Sequence, residues 1–512
     1  MSRTVADLPF DGARRYGALP ALRYKRGDSW QDQSFADLAG TVRAIAGGLV
    51  ETGVSPGDRV CVLGETSPEW TQIGLGVIAA GAVVVPVYPT SSVLEREWIV
   101  SNSGAKAVLE PSPSTVERLA TGGWTGELER RRAAIDPDDP CVIIYTSGTT
   151  GPPKGCVLTH RNWLALCHIT EELSYVTADD VVYLFLPLAH VFAQLVQFGA
   201  LYSGATLAYF GGDLRRVVAE LAEVRPTFLP SVPRIFEKLH TALAGRVDAA
   251  TVRGAFGGRL RLALSGAAPI SLAVLEYFHA VGVPVVEGYG MTETTGCGTV
   301  STLDRHRLGT VGVAAPGVSI RLAEDGEILM AGPNVFAGYW QDPEATRESL
   351  VDGWLHTGDL GTIDEDGFIT ITGRKKDIII TAGGKNVAPA ELENQLRQSR
   401  WISQALVYGD RRPYPVVLLT LDADEIVPWA RDHGLPTDLA ALAAHPQVRD
   451  RLQALVDAAN ERVSRPARIK RFAILERDFT LEAGELTPTL KLKRAVVHAN
   501  HATVIEELYG SA

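Results

Sequence analysis

Short β-branched runs alternate with helical patterns through most of the first half of this chain, and that alternation limits the possible folds more than any single motif. Strands separated by helices pair side by side in parallel, with the helices laid over the sheet faces. One such helix is "THRNWLALCHITEEL", where Thr159 suits an N-cap and Trp163, Leu166, Cys167 and Thr170 fall on one face. Another is "RRVVAELAEVRP", whose apolar stripe is Val217, Val218, Leu221, Ala222 and Val224 and which Pro226 ends. The stretch "IGLGVIAAGAVVVPVYP" from Ile73 reads as a buried helix, a glycine break and a buried strand. It does not read as a membrane span, because glycines interrupt it and prolines end it.

From Gly317 the pattern changes to strands with tight turns. "AEDGEILM" and "IDEDGFITITG" carry Asp325-Gly326 and Asp366-Gly367, a strong hairpin signal, so two smaller sheets or a small barrel are expected there. A chain of 512 residues is too long for one core. The expected class is α/β: residues 1–373 form a large N-terminal domain with a β-rich subdomain, and residues 377–512 form a small α+β domain. Residues 374–376 link the two.

The net charge of −11 argues against a nucleic-acid partner, whose phosphates need a basic face. "MSRTVADLPF" has no apolar core of signal-peptide length. Cys61, Cys141, Cys156, Cys167 and Cys297 are scattered without a C-x-x-C pair, which suits reduced thiols in a cytoplasmic protein. His498 and His501 read as part of a solvated tail sooner than as a metal site, since no third ligand is near them in sequence.

The loop within "IIYTSGTTGPPKGCVLTH", Ile143 to His160, packs small and hydroxylated residues around one lysine. It fails the G-x-x-x-x-G-K-[ST] pattern, because Gly151 is three residues before Lys154 and the next run looks like strand. Read alone it is either a surface turn or a phosphate cradle built of backbone N–H groups, hydroxyls and one ammonium. "LRLALSGAAPI" and "VPVVEGYGMTETTG" repeat the arrangement: Leu260 to Leu264 lead into Ser265 to Pro269, and Val283 to Val286 lead into Glu287 to Gly296. Ligands in open α/β sheets bind beyond the carboxyl ends of the strands, so the three loops can line one site.

"YTSGTTGPPKG", "PLAHVF", "SGAAP", "GYGMTE", "GWLHTGDLG", "GRKKDIIITAGGKNVAPAELE" and "TPTLKLKR" follow one another in this chain. That ordered set resembles the adenylate-forming superfamily of acyl-CoA synthetases, peptide-synthetase adenylation domains and luciferases. The wording is most similar to bacterial long-chain fatty acyl-CoA synthetases. The resemblance implies a two-step reaction: a carboxylate attacks the α-phosphate of ATP with release of pyrophosphate, and a thiol such as CoA then captures the acyl-adenylate.

By resemblance, Thr146, Ser147, Gly148, Thr149, Thr150 and Lys154 cradle the β- and γ-phosphates, and Glu293 is the Mg²⁺ ligand. Tyr289 and Gly290 flank adenine, Gly266, Ala267 and Ala268 form its other wall, and Glu287, Gly288 and Thr292 belong to the same nucleotide set. Asp359 accepts from the ribose hydroxyls and Arg374 assists at the ribose or phosphate. His190 sits where the carboxylate pocket meets ATP. Lys491 serves adenylation, with Lys493 as its rival; the commonest superfamily form has Gly before that lysine, where this chain has Leu490. The resemblance makes the C-terminal domain mobile, turning about Lys376, after which Gly383 and Gly384 in "TAGGKN" let the pantetheine arm approach.

Each residue also has a plainer reading. Tyr289 and His190 alone suit a core, Glu293 suits a surface ion pair, and both lysines suit solvated positions. The segments 109–136 and 239–258 are short for the long-chain branch, which sets a bulky or cyclic acid beside a fatty one. A carrier protein stands as the alternative acceptor to CoA, and a homodimer stays open.

Overall fold

The computed structural model describes residues 2–123, 126–146, 152–243 and 248–510. Its two large sheets follow the expected alternation. In the six-stranded sheet, Arg59–Leu63 pairs in parallel with both Val83–Val87 and Ala107–Leu109. Pro140–Thr146 and Lys154–Thr159 then run antiparallel, on either side of the small-residue segment. In the nine-stranded sheet, Val181–Leu184, Phe228–Ser231, Leu262–Ser265 and Val285–Tyr289 lie in parallel and in that order. One apolar core runs through both sheets. Helix Pro68–Ala79 is buried along its whole length, and Gly81 at φ 81° turns the chain from that helix toward strand Val83–Val87, as the glycine break implies.

Thr159 caps helix His160–Glu172 by accepting from the Asn162 N–H, and Trp163, Leu166, Cys167 and Thr170 are all buried. The second helix, Val217–Val224, departs in one respect: Ala222 is exposed and Glu220 takes a buried place. The Glu220 carboxylate is satisfied there by the Tyr183 hydroxyl at 2.8 Å and the Gly211 N–H at 2.9 Å, which is what allows a charge inside.

Both Asp-Gly turns close hairpins, with Gly326 at φ 83° and Gly367 at φ 84°. Their strands join in a single five-stranded sheet, and no barrel forms among the described residues. Strand Ile369–Arg374 ends in a 3-10 turn, Lys375–Asp377. A separate core, which includes Ile379, Leu419 and Phe472, begins beyond it. His498 and His501 do not form a solvated tail. His498 packs edge-on against Tyr408, and the His501 Nε2 lies 3.0 Å from Glu485. Helix Arg494–Asn500 ends between the two histidines, and His501 is the cap residue between it and helix Ala502–Tyr509, so the two share no helix face.

Candidate active site

Leu262–Ser265 and Val285–Tyr289 are neighbours in parallel, so their carboxyl ends open on one edge of the sheet. The second strand runs on to Tyr289, so Glu287 and Gly288 belong to a strand end that pairs with Thr299–Val300, not to a loop. Ala267 stands at φ 68° after the first strand. A Cβ on Gly266 would lie 3.4 Å from the Phe192 ring, and one on Gly290 would fall 2.4 Å from the Gly296 carbonyl group. Only glycine fits at 290, and the two loops make thin walls. Glu287 is half-buried; burial pushes its carboxyl up to about 8 against the pull of the Gly309 N–H.

Two polar clusters stand beside these walls. The hairpin register at Asp366-Gly367 places Asp359 opposite Arg374, and the Arg374 Nε lies 2.8 Å from Asp359 Oδ1. The Tyr289 hydroxyl donates to the other Asp359 oxygen. Burial first, then the Asp359 charge, pushes that hydroxyl well above its usual range, so it stays a donor. In the second cluster Glu293 is buried in the 3-10 turn Thr292–Thr294 and accepts from the Tyr339 hydroxyl at 2.8 Å. Tyr339 lies on strand Gly338–Tyr339, opposite Cys156. The Lys154 Nζ sits 5.4 Å from the centre of the Tyr339 ring and 3.7 Å from Asp342.

His190 caps helix Val191–Ser203, with its Nδ1 accepting from the Phe192 N–H at 3.1 Å. That bond fixes the neutral tautomer with the proton on Nε2. Burial, then the nearby Lys491 ammonium, lowers the imidazole to about 3. His190, Thr146, Thr292 and Lys491 line one cavity of about 120 Å³.

Lys491 reaches this cavity on a turn held by the Leu486–Leu492 bridge. The Thr487 N–H donates to the Lys491 carbonyl at 2.8 Å, and the Lys491 N–H donates to the Thr487 hydroxyl at 3.0 Å. Lys491 is exposed to solvent along the cavity it lines. Desolvation, then the Arg374 charge, lowers its ammonium pKa, while Asp359 and Glu293 act the other way. Lys493 is placed elsewhere, 3.4 Å from Glu95.

The expected residues Ser147, Gly148, Thr149 and Thr150 lie outside the described residues, and Thr146 ends the strand before them. Lys376 is exposed in its 3-10 turn. Gly383 and Gly384 lie between strands Ile379–Ile380 and Asn386–Val387, where a Cβ would meet nothing within 4 Å. These three are not brought to the cavity. Sequence reasoning missed Tyr339 and Glu95. Glu95 did carry a signal, the Ser92-x-x-Glu95 capping box, whereas Tyr339 reaches Glu293 only through the fold.

Comparison with known proteins gives a consistent picture. Residues 10–340 match the AMP-binding enzyme family, and residues 376–512 match the AMP-binding enzyme C-terminal domain. The long-chain-fatty-acid–CoA ligase FadD15 of Mycobacterium tuberculosis is 38% identical over 94% of this chain and 92% of that protein. The alignment spans 559 positions, more than the 512 residues here, so that relative carries insertions this chain lacks. The human long-chain-fatty-acid–CoA ligase ACSBG1 is 30% identical over 99% of this chain and 85% of its own length. Among solved structures, ATP-bound MatB from Rhodopseudomonas palustris superposes with a TM-score of 0.76 at 26% identity, covering 98% of this chain and 99% of that one.

Proposed function

This chain belongs to the AMP-binding enzyme family, and on that premise we propose how its cleft divides the work of a two-step acyl activation. It is an ATP-dependent acid–thiol ligase: it activates a carboxylic acid as acyl-AMP, releases pyrophosphate and transfers the acyl group to CoA. The observation that best supports the division is that Lys491, carried by the C-terminal part, stands within electrostatic reach of His190, Glu293, Asp359 and Arg374.

Asp359 holds the ribose hydroxyls, oriented for this by Tyr289 and Arg374. Adenine lies between the Gly266–Ala268 wall and the Tyr289–Gly290 edge. Thr146 to Thr150 and Lys154 hold the β- and γ-phosphates. Lys491 neutralises the carboxylate and α-phosphate as they approach, and neutral His190 donates from Nε2 at the same junction. A hard cation that keeps most of its waters needs one or two carboxylates beside phosphate oxygens, and Glu293, fixed by Tyr339, suits that need. Mg²⁺ bound there would offset charge on the leaving pyrophosphate. Residues 374–376 are the hinge, and turning about Lys376 removes Lys491 and brings Gly383 and Gly384 to the acceptor thiol.

The acid is fatty or another bulky hydrophobic acid. The relatives named long-chain-fatty-acid–CoA ligases support the first reading, and the insertions this chain lacks support a shorter or more compact acyl group. Pyrophosphate release across a panel of straight-chain, branched and aromatic acids, with and without CoA, tests this. Release with hydrophobic acids and thioester only when CoA is present is the expected result. Silence across the whole panel would overturn the reading.

A further inference from the structure

The pair formed by Glu95 and Lys493 joins residues 398 positions apart, and it lies at the edge of the cavity that holds Lys491. Glu95 is held at both ends of its carboxylate. It occupies the first turn of helix Val93–Ser103, where Oε2 accepts from the Ser92 N–H at 3.2 Å and the Ser92 hydroxyl accepts from the Glu95 N–H at 3.2 Å. The other oxygen, Oε1, faces the Lys493 Nζ at 3.4 Å. A long flexible lysine is therefore met by an anion that does not move.

Lys493 is equally well placed to pass this on. Its N–H donates to the Glu485 carbonyl at 2.8 Å, and Glu485 is itself fixed by Arg477, so the turn from Leu486 to Lys493 is anchored at its C-terminal end. Lys491 and Lys493 flank Leu492, which closes the turn through the Leu486–Leu492 bridge, so what holds Lys493 limits where Lys491 can go. Left unpaired, the Lys493 charge would repel Lys491 and compete with it for the same anions. Pairing with Glu95 removes that competition and sets how far the turn enters the cavity.

We infer that Glu95 is a positioning residue for adenylation: by clamping Lys493 it fixes the depth and direction at which Lys491 meets the substrate. The inference rests on the reading of Lys491 as the adenylation lysine. Glu95 has no part in thioester formation, because the clamp exists only while the Lys491 turn faces helix Val93–Ser103. The contact between Arg234 and Asp422 ties the C-terminal part at another place, so losing the clamp misaims the turn without detaching the domain.

Glu95→Gln is the suitable variant, since glutamine keeps the capping box and removes only the charge. The two half-reactions are measured separately, as ATP–pyrophosphate exchange and as thioester formation from supplied acyl-adenylate. Glu95→Gln and Lys493→Met are each expected to slow exchange about fivefold, the size of a partly exposed ion pair, and to leave thioester formation within about twofold. Lys493→Arg, which keeps the charge and leaves the capping box untouched, should retain most of the exchange, which a role in packing alone would not predict. Equal loss in both half-reactions, no loss in either, or the same loss in Lys493→Arg as in Lys493→Met would overturn the inference. Lys491→Ala is run alongside. If it abolishes exchange while Glu95→Gln changes nothing, the clamp alone fails; if it is mild, the adenylation lysine is misassigned and the clamp falls with it.

Discussion

Asp359 and Lys491 face the same cleft and are held in opposite ways. Asp359 is 3% exposed, is fixed by strand register, and is satisfied by Tyr289 and Arg374. Lys491 stands on a turn tied to the large domain by Lys493–Glu95, and the C-terminal part is tied again elsewhere by Arg234–Asp422; in each pair at least one partner meets water. Such pairs are worth about 0–1 kcal/mol each, and the half-exposed Arg374 adds no more than that to Asp359, whereas the hydrogen bond that the buried Asp359 carboxylate accepts from Tyr289 contributes about 1.5–3 kcal/mol. A group that stays through both steps can be locked in place. On the proposed turning of the C-terminal part Lys491 leaves in every turnover, and a group that leaves can only be held by contacts that break readily.

The strongest way to break this comparison is Lys491→Ala. Removing a charge that acts only as the carboxylate meets the triphosphate should slow adenylation by on the order of 10² to 10³. Capture of a supplied acyl-adenylate by CoA should change little. Loss of both steps alike would mean that Lys491 never leaves the cleft.

Lys376→Pro attacks the other half of the comparison, the leaving. Lys376 is the middle residue of a 3-10 turn, a conformation that the fixed proline φ near −65° suits. The first conformation should survive, while a large change in φ is barred. Adenylation should stay within about threefold and thioester formation should fall by roughly 10-fold or more. Equal loss of the two steps would move the hinge elsewhere.

How much of this was legible in the sequence follows the same division. The alternating strands, the Thr159 cap, the Asp-Gly hairpins and the ordered loops around Gly266 and Tyr289 are local patterns, and the fold reproduces them. The Asp359–Arg374 pair is nearly local too, because one hairpin register creates it. Glu95, Tyr339 and Arg234 meet partners 398, 46 and 188 residues away, and no spacing rule reaches that far. Exposed Ala222 and packed His498 were misread for a related reason: a polar side chain such as Glu220 or His498 enters a core when a distant partner such as Tyr183 or Tyr408 receives it.

Acid and base should separate the two regions further. In the C-terminal part, burial acts upward on Glu485. Hydrogen bonds from Arg477, Asn500, the Thr480 N–H and His501 outweigh it and bring the carboxyl down to about 2. Its stabilising contribution is therefore full above pH 4.5 and is lost as pH falls toward 2. In the large domain Glu287 is raised to about 8 by burial, so stability there is fullest below pH 4.5 and declines as pH rises through 8. Melting curves followed from pH 3 to pH 9, on the order of the range these shifts span, should show Glu485→Gln flattening the acid limb and Glu287→Gln flattening the alkaline limb. If each variant moved the other limb, the two environments would be wrongly described.

The smallest effect concerns Leu490, which precedes Lys491 where the commonest superfamily form has glycine. Its φ of 60° lies in the left-handed region, and its side chain is 61% exposed. A non-glycine residue pays about 1–2 kcal/mol for that conformation, while glycine adds about 0.5–1 kcal/mol of chain entropy to be lost on folding. Leu490→Gly should therefore stabilise the C-terminal part by a net of about 0.5 kcal/mol, seen as a small rise in its denaturation midpoint with an unchanged slope. The structure gives this leucine little burial to lose, so a destabilisation of about 1 kcal/mol or more would mean that its side chain packs in a conformation other than this one. That outcome would make the strain at 490 part of the exchange between conformations, relieved when Lys491 withdraws.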